Sequence, residues 1–426
     1  MPYFSKKIAN INDVPSRVRT VVIGGGIHGC GVCHDLATRE WKDTILLEKG
    51  EIGGATSSSS TKLIHGGLRY LQRISQFGMV LKSLEERRLL ISLVPDLVKP
   101  LELIYPVLKK GGMPRFMVKI GLFIYDRLAG KRSIGKHKLL SSEQVSELAP
   151  HLNQKKFSSF YSFWDGQTDD LALTVRVASS ASKLGAQIFE GIEVKSIKAV
   201  PDGWALTVVD GEKREKVITC LYVINAAGPW SNILLENSEI VPKSKAISNK
   251  GVHLIVKNLG LKSGVFFESP KDGRIFFVLP WKGKTLIGTT ESIYVGNPDN
   301  QKPEQEDIEY LLNNINSYFD IELTESDIIE KFSGLRWLAV EENESISSTS
   351  REVVVTDHDS ERGFMLTIYG GKLTSYRNLS EAIGDNITRH FGTFRRSKTN
   401  IKSYWADVHE VIKPLPNVKE RFSKFK

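Results

Sequence analysis

The residue types best suited to chemistry cluster in a few short stretches, and the first of these is built of glycine. Gly24, Gly26 and Gly29 stand at G-x-G-x-x-G spacing directly after the β-formers Val21, Val22 and Ile23. Such a strand-to-helix turn lets the backbone approach a pyrophosphate, and the first amides of the helix meet the phosphates with the partial positive charge of a helix terminus. A second strand over 44–47 ends in Glu48, where an acidic side chain meets the hydroxyls of an adenosine ribose. A carboxylate there accepts from a diol and repels a 2′-phosphate, which favours FAD or NAD over NADP. The unbroken hydroxyl run from Thr56 through Ser57 and Ser58 to Thr61 precedes Lys62. Bounded by Gly53-Gly54-Ala55 and by an apolar stretch, it suits a pyrophosphate-binding loop better than a flexible connector. Small residues, Ala227 and Gly228 among them, close a buried strand and permit close approach of a ligand. Gly370 and Gly371 present the amides of Lys372, Leu373 and Thr374 at a second helix N-terminus, able to stabilise negative charge.

The remaining reactive types are less decisive by themselves. Cys30 and Cys33 form a C-x-x-C, but they fall on the first turns of the dinucleotide helix, where small residues pack against a sheet. Without a second ligand pair they cannot complete a tetrahedral site, and Cys220 has no sequence partner, so no metal is expected. Histidine as a residue type suits a neutral-pH base, yet a lone histidine on a strand, as His253 is, is more often a structural residue. Arg69 reads as a substrate contact or as a surface, ion-pairing arginine.

The elements that position these groups follow from periodicity. Helical patterns run over 80–94 and 171–184, and a Pro- and Gly-rich passage over 95–114 ends the first. A hairpin is expected from 191–200 and 204–210, and a buried strand runs into 221–230. Period-two strands over 251–258, 264–269, 273–281 and 284–291 form an antiparallel sheet able to cover a substrate. The fold class is α/β with an α+β lid: a Rossmann-like dinucleotide domain interleaved with an antiparallel-sheet substrate domain. The expected divisions are 1–75, 165–235 and 346–398 for the first, 76–164 and 236–345 for the second, and a basic tail over 399–426.

In order, the glycine fingerprint, TSSSSTKLIHGGLRYLQ, NAAGPW, FVLPW with GTTE, SGLRWL and YGGKLTSYR make the chain resemble the FAD-dependent, quinone-linked glycerol-3-phosphate dehydrogenases, D-amino-acid-oxidase-like flavoproteins, from about Val21 to Phe391. The resemblance implies FAD as cofactor, contacted by the hydroxyl loop together with Lys62, Leu63, His65, Gly66 and Gly67, and by Gly371 to Thr374. It implies oxidation of sn-glycerol 3-phosphate to glycerone phosphate, with electrons passed to a membrane quinone. Oxidising a phosphorylated alcohol needs a cationic clamp, a base and a hydride acceptor. By similarity Arg336 and Arg351 hold phosphate, Lys372 sits beside the flavin, His253 is the base, and Arg69 and Tyr70 orient substrate. The chain departs from the family pattern at Glu291, where Asp is usual, at Trp337, where Pro is usual, and in DDLAL from Asp169 to Leu173. The helical C-terminal domain common in the family is expected to be absent. A soluble FAD-dependent oxidase of an amine or 2-hydroxy acid, and a non-catalytic or RNA-associated flavoprotein, are the alternatives. The first has no need of a phosphate clamp, and against the second stand His253 and the whole HGGLRY loop.

The formal charge of +9 suits an anionic partner. RNA-binding signatures are absent, and no nucleic-acid partner is expected. The stretch 113–132 mixes Phe116, Ile120, Leu122 and Phe123 with Arg115, Lys119, Arg127, Lys131 and Arg132. It reads either as a helix lying in an anionic membrane surface or as one covering the core. No secretory signal or membrane span is legible, so the expected place is the cytoplasm, peripheral on the cytoplasmic face of the inner membrane.

Overall fold

The β-formers Val21, Val22 and Ile23 are enclosed on both faces, as a strand inside a parallel sheet must be. In the computed structural model, which describes residues 10–72, 76–269, 272–340, 354–359 and 363–406, the strand Arg17–Ile23 lies between Glu215–Asn225 and Thr44–Glu48. The order Val354–Asp359, Phe364–Tyr369, Glu215–Asn225, Arg17–Ile23, Thr44–Glu48, Gln187–Glu190 defines this sheet. All pairings from Phe364–Tyr369 onward are parallel. The expected hairpin, Ile192–Val200 with Gly203–Asp210, hangs antiparallel from the first half of Glu215–Asn225. The helices Ile27–Thr38, Asp170–Lys183 and Tyr376–His390 bring Cys30, Cys33, Leu36, Leu173, Val177 and Ile383 into one core. Both helix cysteines are free and buried there, and burial pushes their thiols up, away from reactivity.

Among the described residues the second sheet has ten strands, including all four read from the period-two pattern, as Ala246–Val256, Gly264–Glu268, Ile275–Trp281 and Lys284–Gly288. It is antiparallel except where Gly264–Glu268 meets Val98–Leu108 in parallel. That last strand corrects the sequence reading, since the passage over 95–114 does not merely end a helix. Val98–Leu108 pairs along its length with Phe157–Thr168, and its prolines, Pro100 and Pro106, lie on either side of the two-residue junction with Gly264–Glu268. A strand paired so briefly on one side tolerates prolines that a central strand would not. The helix Gln305–Tyr318 follows these strands and lays Ile308, Leu311 and Ile315 into the core of this half.

The basic amphipathic stretch forms the helix Arg115–Ala129. Val118, Leu122, Tyr125 and Ala129 face the core, while Phe116, Met117, Ile120 and Phe123 are 65%, 47%, 53% and 55% exposed. The interfacial placement expected of Leu122 is corrected: it lies on the opposite stripe, four residues after Val118, and is buried.

Candidate active site

The carboxyl ends of the parallel strands and the inner face of the second sheet enclose a cleft of about 430 Å³. Its first wall begins at Gly24, where φ is +99° and the amide donates to Leu47 O at 2.9 Å. A Cβ on Gly24 would lie 2.6 Å from Ala226 O, and one on Gly29 would lie 2.0 Å from Gly24 O. Gly29 therefore sits off the cleft and sets the approach of helix to strand. Glu48 accepts from Gly25 N at 2.6 Å and Gly50 N at 2.7 Å. Burial raises its carboxyl and the two amides oppose that shift.

The hydroxyl loop divides its labour residue by residue. Ser57 Oγ accepts from Ile27 N at 2.8 Å, capping the dinucleotide helix from thirty residues away. Thr56 Oγ1 donates to Leu335 O at 2.8 Å and so ties the loop to the second sheet. Ser60 donates its hydroxyl to Asp170 Oδ2 at 2.7 Å. Lys62, expected on the cofactor, is buried in an ion pair with Asp170 at 2.6 Å and does not line the cleft. Buried lysine needs a counter-charge, and the helix start at Asp170 supplies it. Ser58 and Gly66 also turn from the cleft: Ser58 Oγ donates to Ala55 O at 3.1 Å, and Gly66 N donates to Asp165 Oδ1 at 2.9 Å. Asp165 also receives Arg87 and the Tyr125 hydroxyl, each at 2.7 Å, so the glycine pair rests on a buried polar network.

Thr56, Ser57, Thr61, Leu63, His65, Gly67, Ala227 and Gly228 all line the cleft, as do Gly371, Lys372, Leu373 and Thr374. His65 N donates to Thr374 Oγ1 at 3.1 Å, binding the two loops together. Leu373–Ser375 is a 3-10 turn that runs into Tyr376–His390. Lys372 holds its ammonium 3.8 Å from the centre of the Tyr70 ring, a cation–π contact. Arg69 is exposed at the rim. Arg336 also lines the cleft, donating to Asn249 Oδ1 and Thr289 Oγ1, both at 3.1 Å, with Glu291 4.0 Å away. Arg351 lies outside the described residues.

His253 is brought close to these groups but not onto the cleft wall. It is 1% exposed, its Nε2 lies 2.9 Å from Thr61 Oγ1, and its ring stacks on Phe332. Burial, aided by Arg336 and Lys62, holds its pKa well below the ordinary histidine range. Thr61, which lines the cleft, is thus the hydroxyl through which His253 meets it. The wall also includes His28, Ser59, Trp230, Thr289, Glu291 and Phe277, which sequence reasoning did not assign. His28, Ser59 and Trp230 neighbour recognised motifs and could have been found by extending them. Phe277 falls within FVLPW, and Thr289 and Glu291 within GTTE, so the motifs themselves held the signal for them.

The donor set fits FAD: first-turn amides, an acid at the second strand's end, and a hydroxyl loop against the helix cap. His28 Nε2, buried and without a partner among the described residues, adds an unmatched polar atom on the same wall. A family model for FAD dependent oxidoreductases matches residues 19–377. The chain is 33% identical to the glycerol-3-phosphate dehydrogenase of Synechocystis sp., over 88% of this chain and 70% of that protein. It is 34% identical to the aerobic glycerol-3-phosphate dehydrogenase of Staphylococcus saprophyticus, over 87% and 66%. The chain thus spans about two thirds of the length of these relatives. The solved glycerol-3-phosphate dehydrogenase from Bacillus halodurans, complexed with FAD, matches with a TM-score of 0.72 at 26% identity, over 91% of this chain and 67% of that one. The chain belongs to the FAD dependent oxidoreductase family, and FAD is its cofactor.

Proposed function

We propose that the chain oxidises sn-glycerol 3-phosphate to glycerone phosphate, with the electrons passing onward to a membrane quinone. Bound FAD supplies the two-electron acceptor for the hydride that leaves the carbinol carbon. The observation that carries the reading is Arg336, fixed by Asn249 and Thr289 in the cleft that the Gly370–Thr374 turn also lines. A planar guanidinium suits a phosphate dianion, which it can hold through two parallel hydrogen bonds. Lys372 adds positive charge to the same cleft, and Arg69 and Tyr70 orient the polyol; Arg351, outside the described residues, enters as a phosphate contact through the resemblance alone. Glu291 and His65 are among the wall residues whose side chains can accept the hydroxyl proton. The names of the curated relatives support the substrate.

In this reading the eight-stranded sheet is the FAD-binding half and the ten-stranded sheet the substrate half. The exposed apolar face of Arg115–Ala129, flanked by exposed Arg115, Lys119, Arg127 and Lys131, supports docking to an anionic membrane surface on the cytoplasmic face of the inner membrane. Among the described residues no helix is long and apolar enough to cross a membrane. The test is anaerobic: FAD-loaded protein mixed with glycerol 3-phosphate should lose its oxidised-flavin absorbance and release glycerone phosphate in equal amount. Persistence of the oxidised spectrum refutes the substrate.

A further inference from the structure

We propose that Thr61 is a hydrogen-bond donor to the ligand at the reacting end of the cleft, and that His253 is a positioning residue that holds it in that role. The inference rests on the reading that this cleft holds FAD and substrate. Its starting point is the enclosure of the His253 ring. Phe332 covers one face, with ring centroids 5.1 Å apart and planes 14° from parallel. Room on the other strand exists because residue 288 is glycine: a Cβ there would lie 2.1 Å from His253 Cδ2. Nε2 reaches Thr61 Oγ1 at 2.9 Å, whereas Nδ1 is buried without a hydrogen-bond partner among the described residues.

Burial together with the charges of Arg336 and Lys62 disfavours the imidazolium, so the ring is neutral and carries one N–H. Placed on Nδ1, that N–H would be a buried orphan donor, which folded proteins rarely keep. Placed on Nε2, it donates to Thr61 and leaves only a lone pair unmatched. The Nε2–H tautomer therefore prevails, and Thr61 Oγ1 is an acceptor toward His253. The hydroxyl hydrogen of Thr61 is then left for the cleft, whose wall Thr61 forms. With its proton already on Nε2, His253 has no lone pair facing Thr61 and cannot take a proton from substrate through it.

The test combines a structural and a functional readout on the FAD-loaded protein. Long-range 1H–15N spectra of histidine-labelled protein, with the His253 signal identified by its loss in H253Q, should report the Nε2–H tautomer. Both T61V and H253A should lower kcat/KM roughly 10- to 100-fold, and the double variant should fall no further than the worse single. The conservative H253Q, which keeps an amide N–H near the Nε2 position, should recover most of the H253A loss and keep every ionisation of the kcat/KM–pH profile. A matching shift of the visible flavin band in T61V and H253A before substrate is added places the acceptor on FAD; unchanged spectra with matching losses in kcat/KM place it on the substrate, and either supports the proposal. An Nδ1–H tautomer, an ionisation lost in H253Q, or normal turnover by T61V overturns it. If glycerol 3-phosphate is not a substrate at all, the functional proposal fails while the tautomer measurement still stands.

Discussion

Replacing Phe116 and Phe123 together by Ser should detach the protein from anionic bilayers while leaving its fold intact. The two rings are 65% and 55% exposed on the outer face of Arg115–Ala129, so neither contributes much to the core. Burying a whole Phe side chain contributes ~1.5–3 kcal/mol, and the exposed parts of both rings together would therefore stabilise the docked state by ~2–3.5 kcal/mol. At 1.4 kcal/mol per tenfold, the partition coefficient should fall ~20- to 400-fold. The exposed cations Arg115, Lys119, Arg127 and Lys131 each add ~1 kcal/mol near an acidic leaflet, a contribution that salt screens. Sedimentation with anionic and neutral vesicles across a salt series separates the two parts. Wild type should keep a salt-resistant bound fraction that the double variant lacks, with both melting at the same temperature. Equal partitioning of the two proteins, or wild type left in the supernatant at low salt, refutes the docking assignment.

Arg336→Ala should lower kcat/KM for glycerol 3-phosphate by ~10- to 150-fold, since a hydrogen bond to a charged group is worth ~1.5–3 kcal/mol. Unphosphorylated glycerol should lose far less, and equal losses remove the phosphate clamp. Ser57→Ala removes the acceptor for Ile27 N and should cost about 1 kcal/mol of stability. Fluorescence titration should show weaker FAD binding, and unchanged FAD affinity with an unchanged melt would reject the capping role. His34 is buried, with Nε2 2.8 Å from Tyr404 O, and burial lowers its pKa to about 4 from 6.5. Because the folded value lies below the unfolded one, the associated stability is whole above pH 6.5 and is lost as pH falls toward 4, by about 3 kcal/mol. Urea melts at pH 7 and 4.5 should show a smaller pH difference in His34→Gln, although His28, also lowered to about 4, keeps part of it. An equal pH difference in the variant would remove His34 from the acid transition.

The sequence by itself determined the parts whose causes are local. A strand, three glycines and a helix fold into a phosphate-facing turn wherever they occur, because φ at Gly24 and the contact at Gly29 exclude side chains. Period-two apolar runs specify strands, and motif order with residue type brought Arg336, Lys372 and most of the hydroxyl loop to the cleft wall. The tertiary structure alone decided what depends on a distant partner. Lys62 and Thr61 are adjacent, yet one meets Asp170 and the other the cleft, since the loop enters the interior between the two sheets. Whether Leu122 faces lipid or core is a matter of which stripe of its helix meets the second sheet. Val98–Leu108 is a strand, despite Pro100 and Pro106, because Phe157–Thr168 pairs along it. His253 has the type and strand position of a base, but Phe332, Gly288 and Thr61 enclose it, and enclosure is a property of the packed molecule that no spacing along the chain encodes.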